Sequence, residues 1–195
     1  MVVTSITREA AEDLYFGQVV IIWARWFVIA GAAILALWSA PDERTLAAGT
    51  VLVSGLMALN FVLHARQVAG QPANTTLVTL ASLIDLMLIA VMIARWPGSG
   101  GFDSRYAVFL YPIVFTFALV FRPRLAIPYT ALALLTYATI SFGREGIDLL
   151  AADRFEPFLM RLITLASMGA LGTYYWRIQR RRRELTPVLA RVERY

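Results

Sequence analysis

The sequence has no cysteine, no lysine and a single histidine, His64. Without cysteine there is no disulfide, no thiolate zinc site, no iron–sulfur cluster and no Cys-x-x-Cys-His haem attachment. All 18 basic residues are arginine. That removes a P-loop lysine, a Schiff-base lysine for retinal or pyridoxal phosphate, and any lysine nucleophile. One histidine cannot supply both axial ligands of a bis-histidine haem. Charge itself is scarce, at 16% of residues, against about 25% in an ordinary soluble domain. Apolar residues make up 59% and the mean hydropathy is +0.65. A soluble domain of 195 residues would have nowhere to hide them. The composition points to an integral membrane protein with no metal site, no intrinsic cofactor and no catalysis of its own.

A crossing helix needs about 20 mostly apolar residues to span a hydrocarbon core of roughly 30 Å. Six segments meet that need, at 16–39, 45–64, 77–96, 106–121, 125–142 and 158–176. The expected fold is all-α: a polytopic membrane bundle of six transmembrane helices over 1–176, then a basic helical juxtamembrane tail over 177–195. The fourth segment is the shortest and contains Pro112. Pro128 falls near the start of the fifth, where a missing N–H costs least. The run Pro97-Gly98-Ser99-Gly100-Gly101 and the turn Arg122-Pro123-Arg124 are loop chemistry. No connection has room for a folded soluble domain. Glu9, Glu12 and Asp13 occupy the place of a signal peptide's basic n-region.

An even number of crossings puts both ends on one side. With the termini cytoplasmic, 11 arginines lie inside and 5 outside, while Arg25 and Arg161 fall within helices. That bias follows the positive-inside rule, and the expected location is the bacterial cytoplasmic (inner) membrane, as a multi-pass protein. Trp38 and Trp96 then sit at the outer interface and Trp176 at the inner one, as an aromatic belt.

Two charges lie deep in the apolar runs. Asp85 is near the middle of the third segment and Arg25 is inside the first, between Trp23 and Trp26. Counted from the cytoplasmic ends at 1.5 Å per residue, both lie roughly 12–13 Å in, so they can meet at one depth. Each alone costs a few kcal/mol in a bilayer, which favours pairing or neutralisation. The pair reads as a proton- or ligand-coupled switch, or as glue between helices. A further alternative leaves Arg25 snorkelling to the interface beside a protonated Asp85. Arg161, near the outer end of the sixth segment, reads as a snorkelling anchor. Asn60, Ser54, Thr130, Thr136, Thr139, Thr164 and Ser167 can bond across helices or back to their own carbonyls. The small residues Ala166, Gly169, Ala170, Gly172 and Thr173 permit a close neighbour to the sixth helix. His64, at the inner end of the second, reads as an interfacial hydrogen-bonding residue rather than a haem ligand, since Met57 shares its helix. Aromatic residues at 12% can border lipid, quinone or pigment, though no motif selects among them.

After Trp176 the chain reads Arg177-Ile178-Gln179-Arg180-Arg181-Arg182-Arg183-Glu184. A juxtamembrane cluster such as Arg180, Arg181, Arg182 and Arg183 attracts anionic lipid at about 1 kcal/mol per arginine. It also serves as a stop-transfer anchor, and nucleic acid is not an expected partner because no folded basic module presents it. Ile178, Leu185, Val188, Val192 and Tyr195 make a short heptad pattern that Pro187 is expected to interrupt. Four stretches carry a family resemblance: Ala24-Arg25-Trp26-Phe27-Val28-Ile29-Ala30-Gly31, Tyr111-Pro112-Ile113, Phe121-Arg122-Pro123-Arg124-Leu125-Ala126, and the arginine-rich exit. Together they resemble the six-helix membrane input region of bacterial sensor histidine kinases. The resemblance implies a last helix running on as a coiled coil toward a kinase. No phosphoacceptor histidine follows the tail and no nucleotide-binding boxes occur, so kinase activity does not carry over.

The expected function is that of a non-catalytic accessory or structural subunit. Such a subunit packs against other integral membrane subunits of a larger complex, such as a respiratory or photosynthetic electron-transfer assembly. The alternative is a membrane sensor or signal-transducing module working with a separate or missing kinase.

Overall fold

In the computed structural model, residues 2–71, 73–96 and 101–192 are described, with side chains over 17–181 apart from 72, 97–100, 102 and 152. The chain is helical throughout, with no strand among the described residues. Six α-helices follow in order: α1 (Val2–Ser39), α2 (Glu43–Val68), α3 (Thr75–Arg95), α4 (Leu110–Val120), α5 (Pro123–Glu145) and α6 (Ala152–Val192). Short 3-10 segments at Gly101–Asp103 and Arg105–Phe109 lead into α4, and another at Gly146–Leu150 joins α5 to α6. Four stretches are long and apolar enough to cross a membrane: Gly17–Ser39, Glu43–Val68, Thr75–Arg95 and Pro123–Leu150. A shorter apolar stretch covers Arg105–Val120. Glu156 and Arg161, with several small and hydroxylated residues, dilute the apolar part of α6.

The helix ends follow local side-chain chemistry. Asp42 Oδ1 accepts the Thr45 N–H at 2.7 Å and Asn74 Oδ1 accepts the Leu77 N–H at 2.8 Å, capping α2 and α3. The Thr45 backbone N–H holds the exposed Asp42 carboxyl below its usual range. At the end of α5, Gly146 takes a positive φ of 60°, a conformation that favours glycine and turns the chain into the next segment.

Prolines shape three of the helices. The fourth segment is split, because Pro112 has no N–H to give to Val108. The chain before it winds as a 3-10 turn, with the Leu110 N–H reaching Ala107 O, before α4 begins. Pro128 lies well inside α5, since that helix starts at Pro123. Its missing N–H leaves the Arg124 carbonyl without its helical donor, beyond the first-turn groups that go unpaired anyway. Pro187 does not end α6, which runs on to Val192. Losing one backbone bond in a helix of 41 residues is survivable.

α4 is the hub of the bundle. It carries no charge, packs against α1, α5 and α6, and buries Leu110, Ile113, Val114, Thr116, Phe117 and Ala118. Phe117 stacks on Tyr129 with ring centroids 4.0 Å apart. α6 comes close because glycines face its neighbours. A Cβ on Gly172 would lie 2.7 Å from Ala118 Cβ, and one on Gly169 would lie 2.5 Å from Thr130 Cγ2. These are the small-residue contacts through which apolar helices pack closely. α2 lies at the periphery, packed chiefly on α1 and next on α3.

Candidate functional site

In α1, Gln18, Ile22 and Arg25 recur at helical spacing and share one inward face. In α3, Ser82 and Asp85 are three residues apart and face them. The two helices bring their charges together: Arg25 Nε lies 2.6 Å from Asp85 Oδ2, with the side chains only 6% and 4% exposed. Arg25 Nη2 also donates to Ser82 Oγ at 3.4 Å, and the Ser82 hydroxyl donates to Val78 O at 2.9 Å. From α5, the Tyr129 hydroxyl donates to the Ser82 carbonyl at 2.9 Å. One charge pair therefore ties three helices into a single polar knot.

Two further contacts extend the knot along α1. Asn60 of α2 is fully buried and its Nδ2 donates to Ile22 O at 3.3 Å. Gln18 exchanges two hydrogen bonds with the backbone of Ala73 in the α2–α3 connection. The Ala73 N–H donates to Gln18 Oε1 at 3.1 Å, and Gln18 Nε2 donates to Ala73 O. The Arg25 Nη1 and Asn60 Oδ1 atoms of the knot are buried without a hydrogen-bond partner, although an unpaired buried amide or charge costs several kcal/mol in an apolar medium. A cavity of about 20 Å³ adjoins the ion pair, bounded by Arg25, Ser82 and Asp85 on one side and Ile113, Thr116 and Phe117 on the other. That is room for about one water. The arrangement holds an ion pair out of solvent and has no space for an organic substrate. No group of three or more His, Asp or Glu residues suited to a metal ion occurs among the described residues.

The other sequence-selected residues are placed as follows. Trp38 is 85% exposed at the end of α1. Trp96, expected to face the outer interface, is instead buried. Its ring lies 4.8 Å from that of Tyr106 and fills the space left by Gly49 of α2, so it belongs to the core. Trp176 is half-buried, with the Arg180 guanidinium 5.4 Å from its ring centroid. Arg161 is half-buried and its Nη1 donates to Tyr137 Oη of α5 at 3.4 Å. Arg180 and Arg181 are exposed, while the side chains of Arg182 and Arg183 lie outside those described. His64 Nδ1 accepts the Trp26 indole N–H at 3.3 Å. Thr130 and Thr164 bond back to Ala126 O and Met160 O within their own helices.

Sequence reasoning did not single out Gln18, Ser82 or Tyr129. Gln18 and Ser82 had a signal in their helical register with Arg25 and Asp85. Tyr129 had none, because its contact depends on how α5 packs on α3. No protein family, curated protein or solved structure matches this chain.

Proposed function

We propose that this chain is a six-pass membrane protein with both termini cytoplasmic, acting as a non-catalytic accessory subunit that packs against a larger membrane complex. The observation that carries the reading is a row of small residues on the outward face of α2, which α1 lacks. On α1 that face is bulky, with Trp23, Phe27, Ile34 and Leu37 all exposed, as lipid contact favours. On α2 the exposed residues Thr50, Ser54 and Ala58 recur every fourth position and form a row of small side chains between the exposed bulky Val51, Met57, Phe61 and Val62. Small residues at that spacing let a second helix approach closely, and lipid gains nothing from them. Thr50 already donates to Leu46 O, so its hydroxyl needs no outside partner. The fourth stretch, with five 3-10 residues and eleven α residues rising about 26 Å together, is a few Å short of the hydrocarbon core, a mismatch that local bilayer thinning accommodates.

A second reading, a sensor input module, is favoured by α6, which is unbroken from Ala152 through Trp176 to Val192. A helix that leaves the apolar bundle without interruption suits coupling to a coaxial output.

Purification through a tag on this chain in mild detergent separates the two. Recovery of a stoichiometric membrane complex, lost on Ser54→Leu or Ala58→Leu while the chain itself melts unchanged, supports the accessory subunit. A homodimer or a co-purified kinase, indifferent to both substitutions, supports the sensor. The absence of cysteine makes the topology directly testable. Ser99→Cys is expected to react with an impermeant maleimide on intact cells, and Gln71→Cys only after permeabilisation. The reverse pattern overturns the orientation.

A further inference from the structure

Where α3 and α5 run side by side, short side chains face each other. Ala90 and Ala94 lie one turn apart on α3, and Thr136 and Thr139 stand opposite on α5. The gap between them is an open groove of about 480 Å³, walled by Leu132 and Leu135. That volume lies within the roughly 300–1,000 Å³ of small-molecule sites. The groove extends from Met87 to Arg95, roughly 12 Å along the helix axis. It is apolar along this length and charged at one end.

Arg95, in the last turn of α3, is exposed and has no ion pair among the described residues. The acid at the end of α5, Glu145, is engaged by Arg154 at 2.5 Å. A cation in the last turn suits the helix dipole, which accounts for the charge but not for the groove beside it.

We propose that the α3–α5 groove binds an anionic phospholipid, with one acyl chain lying along Ala90 and Ala94 and the phosphate meeting Arg95. The charge complementarity is specific to one end of the groove, as a head-and-tail ligand requires. An arginine presents a fork of donors that matches a phosphate. An uncharged isoprenoid ligand would use the groove and leave the arginine idle. The proposal rests on α3 and α5 crossing a bilayer, which retention of the chain in carbonate-washed membranes tests separately.

The experiment uses the full chain reconstituted in phosphatidylcholine vesicles containing phosphatidylglycerol with a photoreactive diazirine on its acyl chain. Cross-linked peptides are mapped by mass spectrometry. Cross-links are expected to concentrate in 87–95 and 132–140. Arg95→Gln should lower them about fivefold, the loss of one arginine–headgroup attraction, and the same probe on phosphatidylcholine, whose choline offsets the phosphate charge, should cross-link less than on phosphatidylglycerol. Ala94→Leu, which fills the groove, should lower them with Arg95 intact. Helicity and cross-links elsewhere serve as the folding control for both variants. Labelling spread evenly over the outer helices overturns the proposal. So does labelling indifferent to Arg95 and to the headgroup, or displacement by a quinone that is equally effective in Arg95→Gln.

Discussion

Two ion pairs among the described residues have nearly alike geometries and unlike surroundings. Arg154 and Glu145 meet at 2.5 Å near the end of the bundle, with side chains 43% and 20% exposed. Arg25 and Asp85 meet at 2.6 Å inside it, almost wholly covered. Distance gives no reason to rank them. The dielectric does, because the same separation in a dry interior corresponds to a far larger Coulomb energy than near water. Desolvation opposes that gain, so the inner pair is not a large net stabiliser. Its importance is that neither partner tolerates being left alone. The outer pair adds a modest attraction, while the inner pair imposes a condition on the fold.

That contrast can be broken most directly at Asp85. Asp85→Ala strands a buried guanidinium and should destabilise the bundle by about 3–5 kcal/mol, read from unfolding in mild detergent. The double substitution Arg25→Met with Asp85→Leu should recover most of the loss. A double variant as unstable as the single one would mean that packing, rather than the stranded charge, sets the effect. Next in size is Arg25→Lys, whose compact ammonium lacks the planar fork that places Nε on Asp85 and Nη2 on Ser82. A loss of about 1–3 kcal/mol is expected. Tyr129→Phe removes only the bond to the Ser82 carbonyl and should cost about 0.5–1.5 kcal/mol. Glu145→Gln should cost about 0.2–1 kcal/mol and shrink further in high salt. An outer-pair variant as damaging as Asp85→Ala would remove the distinction.

Asp42 gives the smallest expected effect. Its carboxyl is held below the usual range by the Thr45 N–H. The cap is therefore intact above the ordinary carboxylate pKa and is lost as pH falls through the lowered one. Hydrogen exchange at the start of α2 should show that fraying, and Asp42→Asn should keep the cap at all pH values.

Much of the helical layout was legible because apolar runs, turn residues and caps are local. Asp42 and Asn74 carried local cap signals for α2 and α3 that the segment starts at 45 and 77 did not use. Arg25 and Asp85 stood out because charge in an apolar run is rare and its depth can be counted. What was not legible depends on neighbours. Trp96 looks like an interfacial aromatic until Gly49 and Tyr106 are seen to enclose it. The Arg161 contact with Tyr137 likewise depends on how α6 packs on α5. Pro187 reads as a break, but α6 is long enough to absorb it. The small residues of the sixth segment looked alike in sequence and divide in the fold. Gly169 and Gly172 seat α6 on α5 and α4, while Ala166 and Ala170 remain on the outside.

The contact at Gly172 also orders the making of the protein. α4 leaves the ribosome well before α6, and until α6 arrives the backbone at Phe115 and the Ala118 methyl have no close-packed partner on that side. The nascent chain must hold an apolar hub half open while α5 and the Gly146–Leu150 turn are still being synthesised. In a bilayer, lipid occupies that face until α6 displaces it. A bulky residue at Gly172 would therefore act late, on a chain whose earlier helices are already in place.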